Sequence, residues 1–257
     1  MIITGFHAIE EKLLALQKSD ANPNEYKIYY SKMGPRVKKI LSVAKEIGVF
    51  VTQNDEQPLD SLVACLDESL QDHRGIVMET SGKSGKPANL VDFDAWIKAA
   101  ENNDEKQTVI ILDKITDPHN VGAIIRSCDQ FGAALVIIPE NNASNDLNNE
   151  IISRSSAGAS AWVPVAIVKN LVRCAELLKD AGFWIYGADA GGESCVSLNF
   201  PQKTALVMGS EGNGISRLLQ EKCDTIVSIP TCGKIDSLNV SVAAGVLLYE
   251  IYRGIQK

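Results

Sequence analysis

Five apolar runs recur from residue 108 onward: TVIILD from residue 108, ALVIIP from 134, FWIYGAD from 183, TALVMGS from 204 and TIVSIP from 225. Apolar side chains follow one another in them without polar alternation, so a strand built from any of these runs must be covered on both faces. Helix-length segments separate them. That pairing predicts an α/β domain, a parallel sheet wrapped by helices. Such sheets bind ligands beyond the carboxyl ends of their strands. The informative residues are therefore those that follow each run.

Three of these segments are rich in polar residues or glycine. After TVIILD comes DKITDPHNVGAIIRSCDQFGA, where Asp117-Pro118 makes a turn and Asn120 sits at the mouth of a helix. Gly122 permits close approach there, and Arg126 lies more than a turn further along. TALVMGS leads into GSEGNGIS, three glycines around Glu211, an order that differs from the dinucleotide fingerprint. The third is IPTCGKIDSLNVSVAAGVLLYEIY, residues 229–252. Val240, Ala243, Ala244, Leu247, Leu248 and Ile251 recur there at helical spacing, and any of Asp236, Ser237 and Asn239 can serve as the N-cap.

Residues 1–80 read as a smaller alternating α/β unit. Helices are expected over AIEEKLLAL, RVKKILSVAKEIG and around PLDSLVACL, and strands at KIYY, VFVT and GIVMET. The stretch SGKSGKPAN has linker composition, and the residues after it, LVDFDAWIKAAE, form a short helical candidate. GKSGK lacks the spacing of a phosphate loop. The expected organisation is a first domain over 1–80, a linker over 81–107 and a second domain over 108–257.

The six cysteines and three histidines show no paired or clustered spacing, which argues against structural zinc and against a disulfide framework. The amino-terminal MIITGFHAIEEKLLAL lacks a secretory pattern, and no apolar run is long enough to span a membrane. A cytoplasmic protein is the expectation. The net charge is −7, and acidic residues exceed basic ones in each of the three parts. This runs against a polyanion partner. One basic stretch stands out, Lys27, Lys32, Arg36, Lys38 and Lys39 interleaved with Tyr26, Tyr29 and Tyr30. It reads either as a solvated helix face or as phosphate charges with stacking platforms.

Taken in order, DPHNVGAIIRSCDQFGA, LVMGSEGNGIS and IPTCGKIDSLNVSVAAG resemble the three signature motifs of the SpoU or TrmH family of SPOUT-class RNA methyltransferases. GFHAIEEKL and DHRGIVM resemble, more loosely, the substrate-binding domain of its rRNA branch. The resemblance implies S-adenosylmethionine as cofactor, methylation of a ribose 2'-hydroxyl, a carboxyl-terminal trefoil knot and a homodimer packed through the knotted domain. It is nearest to the branch acting on a guanosine of 23S rRNA, with tRNA ribose methylation as the alternative.

By the same resemblance Asn120, Arg126, Glu211, Ser237 and Asn239 form the catalytic set. Gly209, Ile229 and Leu238 bind the cofactor, with Gly187 a weaker candidate. Cys232 is read as a packing residue, and His119 as a histidine the motif does not require. A non-catalytic RNA-binding or ribosome-assembly protein would not need that polar set. A nicotinamide-dependent dehydrogenase would carry GxGxxG where DPHNVG stands.

Overall fold

The computed structural model describes residues 2–17, 22–64, 66, 71–80, 89–141, 150–234 and 237–254. The chain divides into two compact units, residues 1–88 with 147–162, and residues 89–146 with 163–257.

The first unit is a four-stranded sheet in the order β1-β4-β2-β3: β1 (Ile2–Thr4), β2 (Tyr26–Tyr30), β3 (Phe50–Gln53) and β4 (Ile76–Thr80). β2 and β3 are parallel, and the other pairs are antiparallel. β2 alternates, turning Tyr26, Ile28 and Tyr30 inward. Helices α1 (Phe6–Gln17) and α2 (Pro35–Glu46) cover that face with Ile9, Leu13, Ile40 and Ala44. Helix α3 (Glu56–Val63) covers the other, Leu59 and Val63 closing on Val77.

The basic stretch on this unit is partly neutralised. Lys32 Nζ pairs with Glu56 at 2.7 Å and Arg36 Nη2 with Glu10 at 3.2 Å. Tyr26 and Tyr30 are buried, and the Tyr29 hydroxyl donates to Glu79 at 2.9 Å, so the tyrosines are core and sheet residues rather than free stacking platforms.

The second unit is a six-stranded, all-parallel sheet in the order β10-β8-β9-β5-β6-β7. Its strands are β5 (Gln107–Leu112), β6 (Leu135–Pro139), β7 (Val165–Val168), β8 (Trp184–Ser194), β9 (Lys203–Met208) and β10 (Thr225–Ser228). β5 and β6 are buried along their whole length, as their uninterrupted apolar sequence requires. The chain starts in the middle at β5, runs outward through β6 and β7, and then crosses to the other side of β5. The loops after the adjacent strands β5 and β9 thus part at the switch point of the sheet. From the edge strand β10 the chain returns, and helix α9 (Val240–Arg253) packs on α5 (Pro118–Phe131).

The compact units differ from the compositional boundaries in two places. Within 81–107, helix α4 (Phe93–Glu101) buries Phe93, Ile97 and Ala100 in the core of the second unit. Residues 81–88, which carry the linker-like letters, lie outside the described residues. Within 108–257, residues 147–162 group with the first unit, and helix α6 (Glu150–Ser155) packs on β1 and α1. Sequence reasoning also missed the three-residue β1 and the four-residue β7, and it ended β8 too early.

Glu150 yields a prediction. Burial pushes its carboxyl up to about 7, against a smaller opposing effect from the Ile2 backbone hydrogen bond, and Oε2 has no partner among the described residues. In the unfolded chain this group ionises near about 4.3. The folded state therefore loses stability as pH rises between those values. Glu150→Gln should raise the thermal midpoint at pH 8, and the gain should shrink towards zero by pH 5 in a melting series across that range.

Candidate active site

The carboxyl ends of β5, β9 and β10 bring the three motif loops together. α5 starts at Asp117, whose Oδ1 accepts the His119 N–H at 2.9 Å, with Pro118 in the first turn. This fixes Asn120 at the helix mouth.

After β9 the chain makes a closed turn: Ser210 and Gly214 exchange backbone hydrogen bonds at 3.1 and 3.0 Å, leaving Glu211 at its tip. Gly212 and Gly214 hold φ of +86° and +63°, a region that favours glycine. A Cβ at Gly209 would overlap the backbone of Gly214 and Ile215. Glycine is thus required at 209 by closure of the turn itself.

The third loop ends in an N-cap that settles between the sequence candidates. Asn239 Oδ1 accepts from Ser241 N at 3.0 Å, from Ser241 Oγ at 2.6 Å and from Val242 N at 3.4 Å. Its Nδ2 donates to Asn120 Oδ1 at 3.0 Å and to Glu211 Oε1 at 2.8 Å. Glu211 Oε1 also accepts the Val240 N–H at 3.3 Å. One amide thus caps α9 and ties all three loops. Asp236, another of the cap candidates, lies outside the described residues.

Of the catalytic set, Asn120, Glu211 and Asn239 are directly bonded. Ser237 is exposed beside them. Arg126, on the same helix as Asn120, is exposed and has no ion pair or hydrogen bond among the described residues. The ordinary fate of a helical arginine, a surface ion pair, is not found for it among the described residues. His119 is exposed; only its backbone takes part in the cap.

Among the cofactor candidates, Ile229 is half-buried at the end of β10, and Leu238 keeps 38% of its surface exposed although apolar. Next to Gly209, the Ser210 hydroxyl is buried without a partner among the described residues. Apolar walls, a turn of open backbone and an unsatisfied hydroxyl suit a ligand with a flat apolar ring and polar edges.

Two expectations change. A Cβ at Gly187 would lie 2.8 Å from Cys223 Sγ and 3.0 Å from Ile226 Cδ1, so packing within the sheet accounts for this glycine. Burial pushes the Cys223 thiol up to about 11, which keeps it neutral in that contact. Cys232 is exposed rather than packed.

Sequence reasoning missed Asp113. It follows β5 directly, is buried, and accepts the Ser216 N–H through Oδ2 at 2.6 Å, pinning the far end of the Glu211 turn. A carboxylate closing an apolar run was the available signal.

The SpoU rRNA Methylase family model matches residues 107–249, which span all three loops. The chain belongs to this family and is an RNA methyltransferase. The Bacillus subtilis (strain 168) protein YacO, provisionally named a TrmH family tRNA/rRNA methyltransferase, is 34% identical over 252 residues, covering 98% of this chain and 94% of its own length.

A crystal structure of an RNA 2'-O ribose methyltransferase superposes with a TM-score of 0.78 at 20% identity, covering 100% of this chain and 89% of that one. The AdoMet-bound rRNA methyltransferase from Sinorhizobium meliloti gives 0.67 at 21%, covering 98% and 86%. At such identities the likeness shows the fold, which is that of SpoU methyltransferases.

The Asn239–Glu211 contact predicts a pH-dependent effect. Asn239→Asp keeps a good cap but sets two carboxylates against each other, so one must hold a proton or both must move apart. The variant should lose roughly 1 kcal/mol at pH 8 through the lost amide hydrogen bond, with charge repulsion adding to it. The deficit against wild type should narrow as pH falls towards 5, measured by urea unfolding.

Proposed function

We propose that this protein transfers the methyl group of S-adenosylmethionine to a ribose 2'-hydroxyl of RNA, and that its target is a guanosine of 23S rRNA. The observation that carries this reading is the single amide of Asn239 joining Asn120 and Glu211, with Arg126 exposed further along the helix of Asn120 and without an ion pair or hydrogen bond among the described residues. Bound S-adenosylmethionine supplies an activated methyl group. Ile229 and Leu238 would wall its apolar ring, and the backbone at Gly209 would meet its polar edge. Asn239 spends its amide on the protein, so its part is to hold the loops, which leaves the exposed Ser237 to face the ribose.

A guanidinium donates hydrogen bonds and offers no acceptor, so Arg126 is not asked to act as a base. Its exposed guanidinium is suited to pairing with an RNA phosphate and stabilising the 2'-oxyanion as it develops, a contribution of about 3 kcal/mol for a well-placed donor. The proton leaves to phosphate or water. Alignment of the hydroxyl by the loops contributes further.

The rRNA target is supported by the match of residues 107–249 to the SpoU rRNA Methylase family model. The shared tRNA/rRNA name of the Bacillus relative favours tRNA as the alternative. A homodimer is supported by the outer face of α9, where Val242, Val246, Tyr249 and Tyr252 lie exposed in an apolar stripe beside Phe131. A cytoplasmic location is supported by the free state of the described cysteines.

The test is incubation with labelled S-adenosylmethionine and total RNA from a strain lacking the protein, followed by mass-spectrometric mapping. One 2'-O-methylated guanosine in 23S rRNA is expected, and label only in tRNA would move the target. Arg126→Lys should lower turnover by about 100-fold at saturating RNA, as loss of a transition-state donor does, with cofactor affinity unchanged. Near-normal turnover would remove the guanidinium from the reaction.

A further inference from the structure

The first unit has a switch point of its own, and DHRGIVM leads into it. β2 and β3 are parallel, and the helices that follow them take opposite faces of the sheet: α2 joins α1 on one, and α3 covers the other. The loops at the carboxyl ends of β2 and β3 therefore part, which is where α/β sheets take their ligands. β4 begins beside the same end, with Ile76 opposite Tyr30, and so brings residues 72–75 there. A cavity of about 490 Å³ occupies this crevice, within the span of small-ligand sites, about 300–1,000 Å³. Lys32 after β2, Glu56 and Asp60 on α3, and Asp72, His73 and Arg74 before β4 line it.

The wall is fixed at one point and adjustable at others. His73 is buried, and its Nδ1 accepts the Gly75 N–H at 3.0 Å, so Nε2 carries the ring proton and donates to Asp60 Oδ1 at 2.9 Å. Gly75 holds φ of +79°, and a Cβ there would lie 3.0 Å from Ser31 Oγ. Arg74 holds φ of +51°, so an arginine stands where backbone sterics favour glycine. Arg74 Nε pairs with Asp72 at 3.2 Å, and Lys32 Nζ pairs with Glu56 at 2.7 Å. All four of these side chains are more than half exposed. Such pairs stabilise little, and their cations can turn to a ligand at small cost.

Two cations beside three carboxylates do not make a plain phosphate site. They suit a ligand that joins an anion to hydrogen-bond donors, as a nucleotide does. Guanine alone among the RNA bases presents two adjacent donors, its N1–H and its N2 amino group, on the edge used for pairing, and a carboxylate matches them with its two oxygens. Those oxygens offer about four acceptor positions, so Asp60 can hold His73 and the base together. The donors are available only on an unpaired base, and single-stranded RNA is read through such edges and by stacking on arginine planes.

We propose that the crevice at the ends of β2 and β3 binds an unpaired guanosine of the substrate RNA, with Asp60 reading the base and Arg74 and Lys32 holding the backbone phosphates. This nucleotide is an anchor, separate from the one that receives the methyl group. The proposal rests on the chain being an RNA methyltransferase.

The test is fluorescence anisotropy of the full chain with two short labelled RNAs, one all adenosine and one carrying a single central guanosine. Wild type should bind the second about tenfold more tightly, as a bidentate base contact does. Guanosine 5'-monophosphate should displace it, and adenosine 5'-monophosphate should not. Asp60→Asn keeps an oxygen for the His73 N–H but loses the matched pair of acceptors, so the preference should fall to about one. Arg74→Gly relieves the backbone and should keep or raise the thermal midpoint. It should weaken both RNAs alike and lower the slope of log affinity against log salt by about one.

Equal affinity for the two RNAs in wild type, or a preference that D60N leaves intact, would overturn the base assignment. An unchanged affinity and salt slope in R74G would remove the crevice from RNA binding. Binding of guanosine 5'-monophosphate without binding of either RNA would make the occupant a free nucleotide and overturn the RNA assignment. Guanosine-selective binding by a chain that transfers no methyl group would overturn the proposed reaction and leave this site standing.

Discussion

The side-chain amide of Asn239 carries more of the site than any other group. Its oxygen takes the first free N–H groups of α9, and its nitrogen reaches the loop after β5 and the turn after β9. A helix start always needs a cap. Here the same atoms fix three loops that leave different strands, so the cap and the site cannot be separated. Each bond contributes about 1 kcal/mol. Their value lies in mutual dependence, since removing the amide frees a donor set and two acceptors at once.

Around this amide the loops are held from both ends. The turn after β9 is closed at its tip by Glu211 and at its base by Asp113, while its glycines meet the steric demand of closing within five residues. Arg126 and Ser237 stand outside these bonds. The site thus divides into groups that are fully engaged with the protein and groups left open to a ligand. A transferase that aligns two substrates gains from this division, because alignment by fixed loops requires no rearrangement during reaction.

Much of this was legible in the amino-acid sequence, for physical reasons that differ by region. Continuous apolar runs such as TVIILD and TALVMGS have one stable home, a covered parallel strand, and five of the six strands of the second unit followed from that rule. β7 escaped because VAIV is short and follows Pro164, and β1 because three residues carry no period. The grouping of residues 147–162 with the first unit is a long-range contact that local composition does not record.

The three motif loops were legible as a set, but the division of labour inside them was not. Spacing cannot tell that Asn239 spends its amide on the protein, or that Asp113 closes a turn more than 100 residues away. The tyrosines beside the basic stretch were misleading in the opposite sense: their period of two already places Tyr26 and Tyr30 on the inner face of β2.

The claim that one amide builds the site is tested most directly by a double-mutant cycle on Glu211→Ala and Asn239→Ala, read as the dissociation constant of S-adenosylmethionine. Joined groups should give strongly non-additive losses, with a coupling energy of about 1 kcal/mol or more. Losses that add to within about 0.3 kcal/mol would contradict it.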